Sequence, residues 1–212
     1  RSGGSLSRVT YGMGILLGRG ILERIASGVY IVKKTPDIDI WQIYWKVIEK
    51  LIDVHSPSGW VIGWEKALEF HLQNYSIPDI LIVYTRNTAL RVRIIDGREV
   101  HFRTLVSGTK TGKINLWRVI VDNSRLLEIP ERIQICDKEL ALMEALSLRR
   151  HDAWVEEANI ARFLRSYHST ISRSILGLLA EYRYIRPLNR LRVIARDLWY
   201  TDIYEIILEI IR

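Results

Sequence analysis

The chain has 212 residues and a formal net charge of +7, and its 48% hydrophobic content is that of a globular protein with one large core or two small ones. No stretch approaches the roughly eighteen uninterrupted apolar residues of a membrane span, and no charged n-region followed by an apolar h-region marks secretion. A soluble, cytoplasmic protein without membrane association is therefore expected.

The chain opens on Arg1-Ser2-Gly3-Gly4-Ser5, which reads as a linker or tag scar, or as the remainder of a longer chain. Val9, Met13, Leu16 and Leu17 then recur at helical spacing, with Ser5 or Ser7 available as N-cap and Gly18 and Gly20 as the stop. On this pattern Ser7, Arg8, Thr10, Tyr11 and Gly14 face outward. Gly12 and Gly14 each cost such a helix about 1 kcal/mol relative to Ala. Two β-patterned runs follow, Ile21 to Ile25 and Val29 to Lys33, joined by Ala26-Ser27-Gly28, a connection short enough for a hairpin. A helix feeding a two-stranded wing is the second half of a winged helix. In such modules small, hydroxylated or basic side chains on the helix enter the major groove and flanking cations hold phosphates. The candidate DNA-binding residues are Ser7, Arg8, Thr10 and Tyr11 for sequence, and Arg19, Arg24, Lys33 and Lys34 for phosphates.

Thr35-Pro36-Asp37 breaks the wing, which divides the chain into a partial winged helix (1–36) and a larger α/β domain (37–212). Asp37 or Asp39 caps a helix through Trp41, Trp45, Ile48 and Ile52. His55-Ser56-Pro57-Ser58-Gly59 is a loop, and Trp60 to Leu72 reads as a short strand and a helix. After Pro78 the period becomes two. Ile80 to Tyr84, Arg91 to Ile95, Val100 to Leu105, Ile114 to Val121 and Ile133 to Cys136 are β-patterned, and Asp96-Gly97 is a strong hairpin signal. Arg alternates with Val, Ile, Phe or Leu in these runs, which gives one apolar and one basic face. From Asp137 the helical period returns over Glu139 to Leu148, Trp154 to Tyr167 and Ser172 to Tyr182, with Asp137, Asp152 and Ser172 as caps. Arg186 to Ile194 reads as a short strand or extended segment, and Asp202 to Ile211 as a final amphipathic helix. The expected fold is thus α+β, with a mostly antiparallel sheet and C-terminal helices after the partial winged helix.

Charge is unevenly spread. Residues 86–118 carry Arg86, Arg91, Arg93, Arg98, Arg103, Lys110, Lys113 and Arg118 against Asp96 and Glu99. Residues 162–196 carry eight arginines against Glu181, and the segment between the two blocks is acidic. Clustered arginine raises the local potential and steers polyanions.

The chemistry of an enzyme is not evident. Gly12-Met13-Gly14 and Gly18-Arg19-Gly20 lack the preceding strand of a phosphate-cradling loop. The five histidines stand far apart without a metal-binding i, i+4 pair, and the lone Cys136, expected to be buried and inert, has no second thiol beside it. A metal-dependent nuclease would place several carboxylates on adjacent strands, where this chain places arginine. No cofactor and no metal are expected.

Several segments resemble AbiEi-type antitoxins, the DNA-binding members of type IV toxin–antitoxin pairs. Gly28-Val29-Tyr30 is similar to that family's "GvY" wing end, and Trp60 to His71 to its strand followed by an "sAL..hG" helix. Asp96 to Phe102 is similar to its β segment, Ile135 to Ala145 to its "dpErtllDal" helix start, and Arg173 to Tyr182 to its closing "rRlGylLe..g" helix. Lys138 stands where the family usually has Pro, and Leu72 replaces the glycine after His71, so the chain resembles a distant member. The resemblance implies a winged helix that binds inverted repeats in its own promoter, acting as a repressor. It also implies a C-terminal domain that antagonises a nucleotidyltransferase-like toxin, usually without a stable complex. The alternatives are a winged-helix regulator without a cognate toxin, a degenerate restriction-endonuclease-like nuclease, or a protein-interaction subunit.

Overall fold

A computed structural model describes residues 3–26, 28–33, 43–104, 116–128, 131–147, 157–182 and 184–212, with the backbone alone for residues 3–8. The fold is α+β. Helix α1 (Gly3–Gly18) leads into an antiparallel hairpin of β1 (Leu22–Ala26) and β2 (Val29–Val32). Gly20 and Gly28 both have positive φ, the backbone state that ends the helix and turns the hairpin. The helix runs through Ser5 and Ser7, so neither is the cap that their chemistry suggests.

Six strands form the main sheet: β3 (Trp60–Ile62), β4 (Ile80–Thr85), β5 (Leu90–Arg93), β6 (Glu99–Thr104), β7 (Ser124–Leu127) and β8 (Ile133–Cys136), in the order β5-β6-β4-β3-β8-β7. Three of the five pairings are antiparallel, while β3 with β8 and β4 with β6 run parallel. As Asp96-Gly97 predicts, β5 and β6 form a hairpin. Both turn residues have positive φ, and the strand hands over to a 3-10 turn at Ile95–Gly97.

Register decides which side chains share a face. Ile62, Leu81, Val83, Val92, Val100, Phe102 and Ile135 lie on one side, and Ile82, Tyr84, Arg91, His101, Arg103 and Cys136 on the other. Helix α2 (Tyr44–His55) covers the first, where the His55 ring tilts on Phe102 at 5.5 Å. Helices α3 (Trp64–His71) and α5 (Lys138–Ser147) pack on each other on the second face, over β4. From Glu139 to Leu146 every residue of α5 is buried, as expected of a helix that is apolar nearly all round.

Two segments depart from the expected period. The described part of the Ile114–Val121 run is not a strand: Leu116–Asp122 forms helix α4, which buries Val119 and Ile120 and pairs Arg118 with Asp122 at i, i+4, while Ile114 and Asn115 lie outside the described residues. A short apolar run fits either period, and here the adjacent buried pair suits a helix. Residues 186–194 are not extended but lie within α8 (Ile185–Asp197), which buries Leu188, Leu191 and Ala195. Pro187 is tolerated there because the first helical turn has no N–H partner to lose. Helices α6 (Glu157–Tyr167), α7 (Arg173–Glu181) and α9 (Thr201–Ile211) complete the C-terminal layer. Ser172 caps α7, as its sequence position suggests, by accepting from the Ile175 N–H. The expected break at Thr35-Pro36-Asp37, the Asp39 and Asp152 caps and Trp154 fall outside the described residues. No helix among the described residues is long and apolar enough to cross a membrane.

Candidate nucleic-acid interface

Among the described residues helix α1 packs mainly on β1, and no side chain described on it is fully buried. Tyr11 is 73% exposed, and Thr10 and Arg19 also face solvent. The expected apolar inner face is only partly realised: Met13 and Leu17 are half-buried, but Val9 is 58% and Leu16 37% exposed. Hydrophobic spacing marks a face able to pack; it does not supply the surface that covers it. A Cβ added at Gly12 or Gly14 would meet no neighbouring atom within 4 Å.

The hairpin carries exposed Arg24 on β1, its Nε donating to the Ala26 carbonyl at 3.3 Å. Lys33 follows β2 directly and pairs with Glu23 at 2.5 Å, so part of its charge is neutralised on the hairpin itself. Thus Thr10, Tyr11, Arg19, Arg24 and Lys33 belong to one helix–hairpin unit. Ser7 and Arg8 lie on α1, their side chains outside the described residues, as is Lys34 entirely. The unit is anchored by a small cluster in which Ile25 packs with Val47 of α2, with Val29, Ile31, Ile43 and Ile95 around them. Ile95 is the tip of the β5–β6 hairpin, so the two hairpins adjoin.

The alternation read in residues 86–103 becomes a basic sheet face. Arg91 and Arg93 project from edge strand β5 on the side of His101 and Arg103, opposite buried Val92, Val100 and Phe102. Glu99 is the carboxylate of this face, 3.6 Å from Arg93 and 2.6 Å from the His101 ring. The bond from His101, with Arg93 and Arg91 nearby, holds the Glu99 carboxyl below its ordinary range. The Arg103 guanidinium lies 4.1 Å from the centre of the Trp64 ring. Trp64 itself opens α3 with a positive φ that its residue type does not announce. A concavity of about 370 Å³ is lined by Leu90, Arg91, His101 and Arg103. The second basic block behaves differently. Its described arginines are divided among three helices, Arg173 pairs with Glu209, Arg196 with Asp197, and Arg190 donates to the Leu146 carbonyl.

Beneath the basic face lies a polar network that sequence reasoning missed. Glu144 of α5 is buried and accepts hydrogen bonds from the hydroxyls of Tyr84 on β4 and Tyr184 at the head of α8. Burial pushes its carboxyl up, against the two hydroxyls, Arg103 and the Trp64 indole, all of which favour the charged form. Gly63 lets the Tyr84 ring lie against the backbone, for a Cβ there would fall inside that ring's van der Waals surface. Nearby, His71 Nε2 donates to the Cys136 carbonyl at 2.9 Å while its buried Nδ1 has no partner. That is the arrangement of a neutral imidazole, and burial lowers its pKa to about 4. Cys136 is buried as expected, which raises its thiol well above the usual value.

These residues join sheet to helices. Among the described residues no set of three or more His, Cys, Asp or Glu could hold a metal ion. The chain matches no protein-family model, no curated protein and no solved structure.

Proposed function

We propose that this protein is a DNA-binding transcriptional autoregulator in which α1 enters the major groove and the β1–β2 hairpin acts as the wing. The observation that carries the reading is the solvent-facing helix with Thr10 and Tyr11, joined without a break to a hairpin bearing Arg24 and flanked by Arg19. Polar side chains on such a helix read base edges, and the cations around it hold phosphates. The resemblance to AbiEi-type antitoxins extends the proposal: the regulated operon encodes a nucleotidyltransferase-like toxin, which the sheet-and-helix body opposes. No catalysis by the chain itself is invoked.

Binding to a duplex from the protein's own upstream region, compared with a scrambled duplex, tests the reading. Arg8→Ala should lower affinity and blunt the preference, whereas Lys33→Ala should weaken both duplexes alike and flatten the salt slope. Equal effects of the two substitutions would undo the assigned roles. Co-expression with the neighbouring toxin gene tests the antitoxin extension, which fails if growth is not restored.

A second reading rests on a specific feature. Val9, Ile15, Leu16 and Ile21 are all exposed on or next to α1, a density of apolar side chains that suits a protein partner. In that case α1 would be a docking helix and the upstream duplex would show no preference.

A further inference from the structure

We propose that the exposed face of β5 and β6 is a second phosphate-binding surface, which grips the backbone of nucleic acid without reading its sequence. The proposal rests on the DNA reading above and names a surface that the helix–hairpin unit does not contain. Four observations carry it.

First, Arg91 and Arg93 sit two residues apart on one face of an edge strand, so their Cα atoms are spaced by about 6.6 Å along the strand and both point into solvent. Arg93 keeps 77% of its side chain exposed even with Glu99 at 3.6 Å. Second, Arg103 on β6 extends the row. It is held beside the Trp64 ring, so a guanidinium is already ordered before any anion arrives. Third, Arg91, His101 and Arg103 line a concavity of about 370 Å³, a shape that lets more than one cation approach the same anion. Fourth, the tip of this hairpin packs through Ile95 against the cluster that seats the β1–β2 hairpin. The hairpin that carries the second surface therefore adjoins the wing. Glu99, the carboxylate of the β5–β6 face among the described residues, is engaged by Arg93 and His101.

The side chains here are arginines on a flat, two-residue repeat, with few groups of the donor–acceptor kind that discriminate bases. Such a surface contributes affinity and salt dependence and little specificity. It would also explain why the chain spends arginine on an edge strand, where a charged row in addition blocks sheet-to-sheet aggregation.

The test is the double variant Arg91→Glu/Arg93→Glu in the full chain, assayed on the upstream and scrambled duplexes over a series of salt concentrations. Both side chains are exposed, and an unchanged thermal transition will confirm that the variant folds. Expected are a loss of tenfold or more in affinity for both duplexes, an unchanged ratio between them, and a salt slope reduced by about two phosphates' worth. Arg162→Glu/Arg165→Glu carries the same change of charge on exposed positions of a different element, α6, and should alter binding less than threefold. Equal loss in the two double variants, or none in the first, overturns the proposal. The outcomes remain separable from the parent reading. If the wild type shows no preference for the upstream duplex but loses its general binding with Arg91 and Arg93, the winged-helix reading fails and the phosphate surface stands.

Discussion

The helix–hairpin unit and the sheet-and-helix body solve the problem of burial in opposite ways. In the body, Glu139 to Leu146 are all buried, and the polar groups trapped there find partners across the fold. In the unit, α1 has a comparable supply of apolar residues, yet Val9, Ile15 and Leu16 remain exposed, and burial is confined to the hairpin, where Ile25 joins a small shared cluster and Ala26 reaches the main core. The contrast separates two tasks. The body holds the folding free energy, while the unit presents side chains at the cost of its own packing, a pattern suited to a surface that meets a partner.

Changes in the body should therefore cost stability, and changes in the unit should leave it nearly untouched. The largest effect is expected at Glu144→Ala, which leaves two buried tyrosine hydroxyls without acceptors and opens a cavity. A loss of about 3 kcal/mol or more in urea unfolding is predicted, with Glu144→Gln milder because the amide still accepts. A loss under 1 kcal/mol for the alanine variant would show that the network is not a joint of the fold.

Acid should act through His71. Its folded pKa of about 4 lies below the ordinary 6.5, so its contribution is complete above pH 6.5 and is lost as the pH falls from 6.5 towards 4. The full span is on the order of 3 kcal/mol. Glu139 and Glu144, both raised by burial, act with the opposite sign and offset part of this loss as they become protonated. Comparison with His71→Gln isolates the histidine: the stability gap between wild type and variant should narrow from pH 7 to pH 4.5, and a constant gap would contradict the neutral imidazole.

Ile25→Ala is expected to loosen the hairpin from α2 by about 2 kcal/mol. Because it acts at the junction, hydrogen exchange in β1 and β2 should rise while that of β4 and β6 does not, and a uniform rise would mean that unit and body unfold together. The smallest change is Gly14→Ala, for which space is free, and which should raise the stability of α1 by about 1 kcal/mol in circular dichroism melts. No gain would point to a backbone constraint that the helix does not display.

How much of this could be read from the residues follows from what each signal requires. The Asp96-Gly97 hairpin and its arginine alternation were legible because a turn type and a period of two are local properties. The Glu144 network was not, since its tyrosines stand 60 and 40 residues away in the chain. Its one trace was a glutamate inside Leu140-Ala141-Leu142-Met143-Glu144-Ala145-Leu146, where a charge amid apolar neighbours needs a partner. Helices α4 and α8 are hidden in the sequence for opposite reasons: one run is too short to fix its period, and the other is disguised by Pro187 and closely spaced arginines. The two basic blocks had equal standing as charge counts. Strand periodicity gathered Arg91, Arg93 and Arg103 of the first onto a face, while helices and ion pairs dispersed the described arginines of the second.

The central claim is that the exposed helix and its hairpin read DNA. Its most direct test measures the affinity of the protein for its own upstream duplex and for a scrambled duplex at low and at physiological salt. The account predicts a preference for the native duplex that survives the higher salt, because base contacts do not depend on counterion release. Weak and equal binding that vanishes with salt would contradict it, reducing α1 to an exposed helix awaiting a protein partner.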